Sequence, residues 1–94
     1  MHENEQPYFL EIISSRGKLR ILLVLLRNGQ VNITRLLRET RLHYNLLIKH
    51  LEELKAAGIV EETRVGRARL YSLKLNNPRT LVLVETLRLL GESL

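Results

Sequence analysis

His43, Tyr44, Asn45 and His50, with a surplus of cations, are the side chains here whose types suggest chemistry, and their spacing narrows what that chemistry is. His43 and His50 stand seven residues apart. On a helix that is about 10 Å along the axis, too far for both to hold one metal ion. The sequence has no cysteine, which removes disulfides, thiolate metal sites and cysteine nucleophiles. Ser14, Ser15 and Ser72 have no general base in an evident arrangement, and no glycine-rich phosphate loop occurs. We therefore expect no enzyme, no metal and no cofactor; His50 is expected to make a structural hydrogen bond. The polar residues from His43 onward suit recognition instead. Asn45 can pair bidentately with adenine, and Lys49 can reach guanine or a phosphate. Tyr44 can stack, or bond a phosphate through its hydroxyl.

The cations are clustered. The formal net charge is +5, and a surplus of that size on a small chain favours a polyanionic partner. Arg35, Arg38 and Arg41 form one group, opposed only by Glu39. Arg64, Arg67, Arg69, Lys74 and Arg79 follow with no acidic residue between the first and the last. An isolated charge run is usually a solvated face. The same run gains meaning from the element that carries it.

Those elements follow from periodicity and caps. A first helix is expected over 8–14, with Pro7 before it, and a second over 16–28, capped by Ser15 and closed at Gly29. Val31 to Ile33 is a bridge strand. Asn32 caps a third helix over 33–40, and a fourth covers 43–57 with Leu47, Leu51 and Leu54 facing inward. The period then changes to that of a hairpin over 59–75, turning at Gly66, with Tyr71, Leu73 and Leu75 on its core side. Pro78 opens a last helix over 78–91. At 94 residues this is one domain, 1–94, of mainly helical α+β class.

Two helices joined by a short turn, followed by a basic hairpin, form a winged helix-turn-helix, in which the second helix enters the major groove. His43, Tyr44, Asn45 and Lys49 then face the bases, with Thr34, Arg35, Arg38 and Arg41 in the preceding helix and turn. Arg64, Arg67 and Arg69 lie on the wing, at the minor groove or its flanking phosphates. Val31 to Leu37, Leu42 to Leu54 and Ala57 to Glu61 resemble the core of winged-helix regulators of the ArsR/MarR type. Their recognition helix ends in "HL..L..AGIV", which reads here as His50, Leu51, Leu54, Ala57, Gly58, Ile59 and Val60. The stretch Arg64 to Leu73 is similar to their wing, "xxGRxxxYxL". The resemblance implies a transcriptional regulator, most often a repressor. Two departures stand out. Leu46 and Ile48 replace small polar residues, and can touch thymine methyls or pack against protein. The cysteine pair of soft-metal sensors is missing.

The final helix carries Leu83, Leu87, Leu90 and Leu94 at spacings of four, three and four. Such a seam at a terminus is expected to meet a second copy, with Tyr8 and Ile12 of the first helix joining it. The expected partners are thus double-stranded DNA and the chain itself, with no membrane and no effector ligand assigned. Met1 to Gln6 is polar, without a signal-peptide pattern, and the longest apolar run, Ile21 to Leu26, is too short to span a bilayer. A cytoplasmic location is expected. The alternatives are a winged-helix protein–protein interaction module and a non-specific architectural DNA-binding protein.

Overall fold

The computed structural model describes residues 10–93, and side-chain burial through residue 91. Residues 10–13 are helical (α1). They are followed by α2 (Arg16–Asn28), β1 (Val31–Asn32), α3 (Ile33–Thr40), α4 (Tyr44–Ala56), β2 (Val60–Val65), β3 (Ala68–Leu73) and α5 (Pro78–Ser93). The expectation for Tyr8 and the start of the first helix lies outside the described residues.

α2, α3 and α5 each start where a short polar side chain satisfies an orphan amide. The Ser15 hydroxyl accepts from the Lys18 amide at 3.2 Å, and Asn32 Oδ1 accepts from the Arg35 amide at 2.8 Å. Asn77 does two jobs. Its Oδ1 accepts from the Arg79 amide at 3.0 Å, and its Nδ2 donates to the Gly58 carbonyl at 2.7 Å, fixing the start of α5 beside the end of α4. Gly29 ends α2 with φ 82°, a conformation glycine adopts without a Cβ penalty. At the end of α3 the left-handed helical region is occupied by Arg41, with φ 61° and ψ 24°.

β1, β3 and β2 form an antiparallel sheet in that order, with Val31 opposite Tyr71 and Glu62 also opposite Tyr71. Val65 pairs with Ala68, so the turn between β2 and β3 is Gly66-Arg67, with Gly66 at φ 61°. β2 is an edge strand.

The core is one cluster in which α2 supplies Ile21, Leu22, Val24 and Leu25, and α4 supplies Leu47, Leu51 and Leu54. Tyr71 and Leu73 close it from the sheet. Leu75 does not join them: β3 ends at Leu73, and Leu75 is 57% exposed. Thr40, almost wholly buried, stabilises the turn after α3. Its Oγ1 donates to the Leu36 carbonyl at 2.6 Å and accepts from the Leu42 amide, while Arg20 donates to its carbonyl at 3.2 Å. The α3–α4 turn is thereby held to α2. Among the described residues no helix is long and apolar enough to cross a membrane.

Candidate nucleic-acid interface

Burial of Leu47, Leu51 and Leu54 fixes the rotation of α4 and turns His43, Tyr44, Asn45 and Lys49 outward, all of them exposed. His43 sits at the N-cap without a side-chain capping bond. The hairpin folds back so that its turn meets the N-terminal end of α4. A groove of about 310 Å³ results, lined among others by Asn32, Thr34, Tyr44, Arg67 and Arg69. Residues from the start of α3, the start of α4 and the hairpin therefore share one surface. Lys49 does not line that groove. It borders a second hollow of about 440 Å³ with Lys18, His50 and Glu53.

The cations fall into two kinds. Arg38, Arg41, Lys49 and Arg67 are exposed, with no ion pair among the described residues. Arg35, Arg64 and Arg69 are engaged. Arg35 Nε lies 2.6 Å from Glu39 Oε2 and its Nη2 donates to Asn28 Oδ1 at 2.8 Å. The Arg35 guanidinium holds the Glu39 carboxyl below its ordinary value, which keeps the pair ionised. Arg69 and Arg64 stand 3.0 and 3.4 Å from Glu62 Oε2, and Lys55 of α4 stands 2.8 Å from Glu62 Oε1. The guanidinium of Arg69 also lies 5.7 Å from the centroid of the Tyr71 ring, in cation–π range.

No protein-family model and no curated protein matches the sequence. Solved structures do match its shape. HlyU from Vibrio cholerae superposes with a TM-score of 0.78 at 24% identity, covering 96% of this chain and 97% of HlyU. Mb0332 from Mycobacterium bovis, a homodimeric winged helix-turn-helix DNA-binding domain described as a possible ArsR-family regulator, gives 0.76 at 18% identity, over 95% and 80% of the two chains. The transcriptional repressor PagR of Bacillus anthracis gives 0.72 at 20% identity, over 89% and 93%. The fold is a winged helix-turn-helix. It is α+β and mainly helical, with α3 and α4 as the helix-turn-helix and β2–β3 as the wing.

Within the winged helix-turn-helix, the expected leucine seam needs correction. Ile12, Leu83 and Leu87 are 3%, 1% and 4% exposed, buried in the chain's own core, and have no surface left for a second copy. All three belong to the single buried core cluster of the domain. Leu90 is exposed, as are Leu81, Val82 and Leu89, so the outward apolar edge of α5 is a different one. Leu94, like Tyr8, lies outside the described residues.

His50 also departs from expectation. Its Nδ1 is buried without a hydrogen-bond partner, the nearest acid, Glu53, being 3.8 Å away. The Nε2 and Cδ2 atoms of its ring instead lie close against Gly17 at the start of α2. Burial, then the Lys18 ammonium, holds its pKa below the ordinary imidazole value.

Sequence reasoning missed the role of Glu62. The Lys55 ammonium and then the Arg69 guanidinium pull its carboxyl down to about 2. A signal was present: Val60 and Glu62 share the inward face of an edge strand, where a charge requires a partner.

Proposed function

We propose that residues 1–94 form a single DNA-binding domain acting as a sequence-specific, double-stranded DNA-binding transcriptional regulator. It works as a homodimer on a pseudo-palindromic operator, as a repressor that occupies the site, in the cytoplasm. One observation carries this reading: Thr34, Tyr44, Arg67 and Arg69, drawn from three elements, line a common groove with unpaired Arg67 at its wing edge. A duplex meeting that surface presents base edges to Tyr44, Asn45 and, on the neighbouring flank, Lys49, and phosphates to Arg38, Arg41 and Arg67. The neighbours HlyU, Mb0332 and PagR support the reading through the fold, Mb0332 being a DNA-binding domain and PagR a transcriptional repressor.

The homodimer is supported by the exposed edge of α5. Val82, Leu89 and Leu90 are each at least half exposed, and apolar side chains clustered on one helix favour an interface. Two recognition helices would then enter successive major grooves about 34 Å apart.

The test is selection of duplexes from a random pool, followed by anisotropy titration in a salt series. A dimer neutralising roughly eight phosphates gives a log K against log salt slope of about −7. Light scattering should return twice the 11.0 kDa of one chain. Enrichment of one half-site repeated in inverted orientation supports the reading. Equal affinity for random DNA identifies an architectural binder. No binding at low salt leaves the protein-interaction module, for which the exposed Leu46 on the reading face speaks.

A further inference from the structure

Glu62 touches charges from both halves of the reading surface. Its side chain is 10% exposed. One carboxylate oxygen takes Lys55 from the last turn of the recognition helix at 2.8 Å. The other takes Arg69 of β3 at 3.0 Å and Arg64 of β2 at 3.4 Å. Cross-strand, Glu62 sits opposite Tyr71, whose ring lies under the Arg69 guanidinium. The wing itself is a two-stranded extension with exposed residues from Thr63 to Ala68, and little apolar contact holds it at any one angle.

We propose that Glu62 is a positioning residue: its carboxylate clamps the wing to the recognition helix through Lys55 and Arg69, and so sets where the wing cations stand relative to Tyr44 and Asn45. The inference rests on the DNA-binding reading above. Its physical basis is that a shielded carboxylate with three cationic partners is costly to leave unpaired, so the partners are held to it. The same contacts withhold Arg64 and Arg69 from indiscriminate phosphate binding. Arg67, at the turn and unpaired, stays free to meet the backbone. Discrimination between sequences then depends on a residue that touches no base.

The experiment has two arms. The chain has no native cysteine, so nitroxide labels go at Val65→Cys on the wing and Leu46→Cys on α4, both exposed. Electron–electron distances are read in the DNA-free protein, labelled chain being diluted with unlabelled. Glu62→Gln keeps the shape and removes the charge; Lys55→Met removes the helix-side tether and keeps the stem. Both should broaden the distance distribution. In the second arm, Glu62→Gln should lower the ratio of affinity for a selected duplex over random DNA by about tenfold. It should also steepen the salt slope by about 1, because a released cation adds a phosphate contact. An ion pair serving stability alone would weaken binding to all duplexes with an unchanged slope. A distribution as narrow as that of the unaltered protein overturns the proposal, and so does a broader one with undiminished discrimination. If the unaltered chain binds no duplex selectively, the DNA-binding reading fails, and the widths alone decide the clamp.

Discussion

Replacing Gly17 by alanine tests how α4 is seated on α2. A Cβ built at Gly17 would lie 2.6 Å from His50 Nε2 and 2.7 Å from its Cδ2, where ordinary contact begins at 3.4 Å. The imidazole must therefore retreat by 0.8 Å, the difference between 3.4 and 2.6 Å. The ring is 13% exposed, and the space open to it is the hollow that it lines with Lys18 and Glu53. Overpacking of this kind costs about 1–3 kcal/mol. The better helix propensity of alanine returns at most about 1 kcal/mol, less in a first turn. The expected net loss is about 1–2 kcal/mol, read as a lower urea midpoint with an unchanged m-value, at fixed protein concentration. For a chain of this size that corresponds to a Tm lower by roughly 5–15 °C. His50→Ala removes the obstacle, so adding Gly17→Ala to it should be neutral or slightly stabilising, a coupling of about 1–2 kcal/mol in the cycle. Gly17→Ala as stable as the unaltered protein would refute the reasoning, since the ring would then not be packed against Gly17.

Arg41→Gly relieves a left-handed residue at φ 61° while loosening the unfolded chain, so stability should stay within about 1 kcal/mol. The same change should weaken binding to every duplex and reduce the salt slope by about 1. Arg67→Ala should also weaken all duplexes alike, whereas Asn45→Ala should reduce discrimination; anisotropy against selected and random DNA separates the two. Glu62 has its folded pKa near 2, below the ordinary 4.5. Its stabilising contribution is therefore complete above about pH 4.5 and is lost as pH falls toward 2, and Glu62→Gln should flatten that part of a urea-midpoint-against-pH curve. Leu90→Glu should return the 11.0 kDa of one chain by light scattering. Leu87→Ala, at a side chain only 4% exposed, should instead cost about 2–5 kcal/mol of stability.

The helix-turn-helix was legible because its local signals agree. Asn32 is a capping residue before an apolar-periodic stretch, Leu47, Leu51 and Leu54 keep helical spacing, and Gly66 stands between two β-prone runs. Each of these acts within a few residues. The final helix shows where such signals end. Leu83, Leu87, Leu90 and Leu94 share one spacing, and spacing cannot say whether a stripe meets its own core or another chain. Leu83 and Leu87 turn inward because Asn77, bonded to the Gly58 carbonyl, fixes where α5 starts, a contact across nineteen residues. The wing charges show the same limit. Arg64 and Arg69 read as free cations in an acid-free run, yet both reach Glu62, just before that run begins. Pairing across a hairpin depends on register, and register was not fixed by the charge pattern.

The recognition helix is restrained on every side but one. Leu47, Leu51 and Leu54 bury its inner face. Toward α2, His50 lies on Gly17, and Glu53 holds Lys18 at 2.7 Å. Toward the wing, Lys55 reaches Glu62. Facing outward on its N-terminal half are Tyr44, Asn45, Leu46 and Lys49, none of which makes an ion pair among the described residues. A reading surface gains selectivity when the element carrying it cannot tilt to accommodate the wrong partner. Apolar packing alone leaves a helix free to rock about its buried stripe. The two polar attachments lie on opposite flanks and oppose that motion. Removing both, in Lys18→Met with Glu62→Gln, should therefore cost more discrimination between duplexes than the two single losses added together. Strict additivity in the same binding assay would mean that the flanks act independently and that the buried leucines suffice to hold α4.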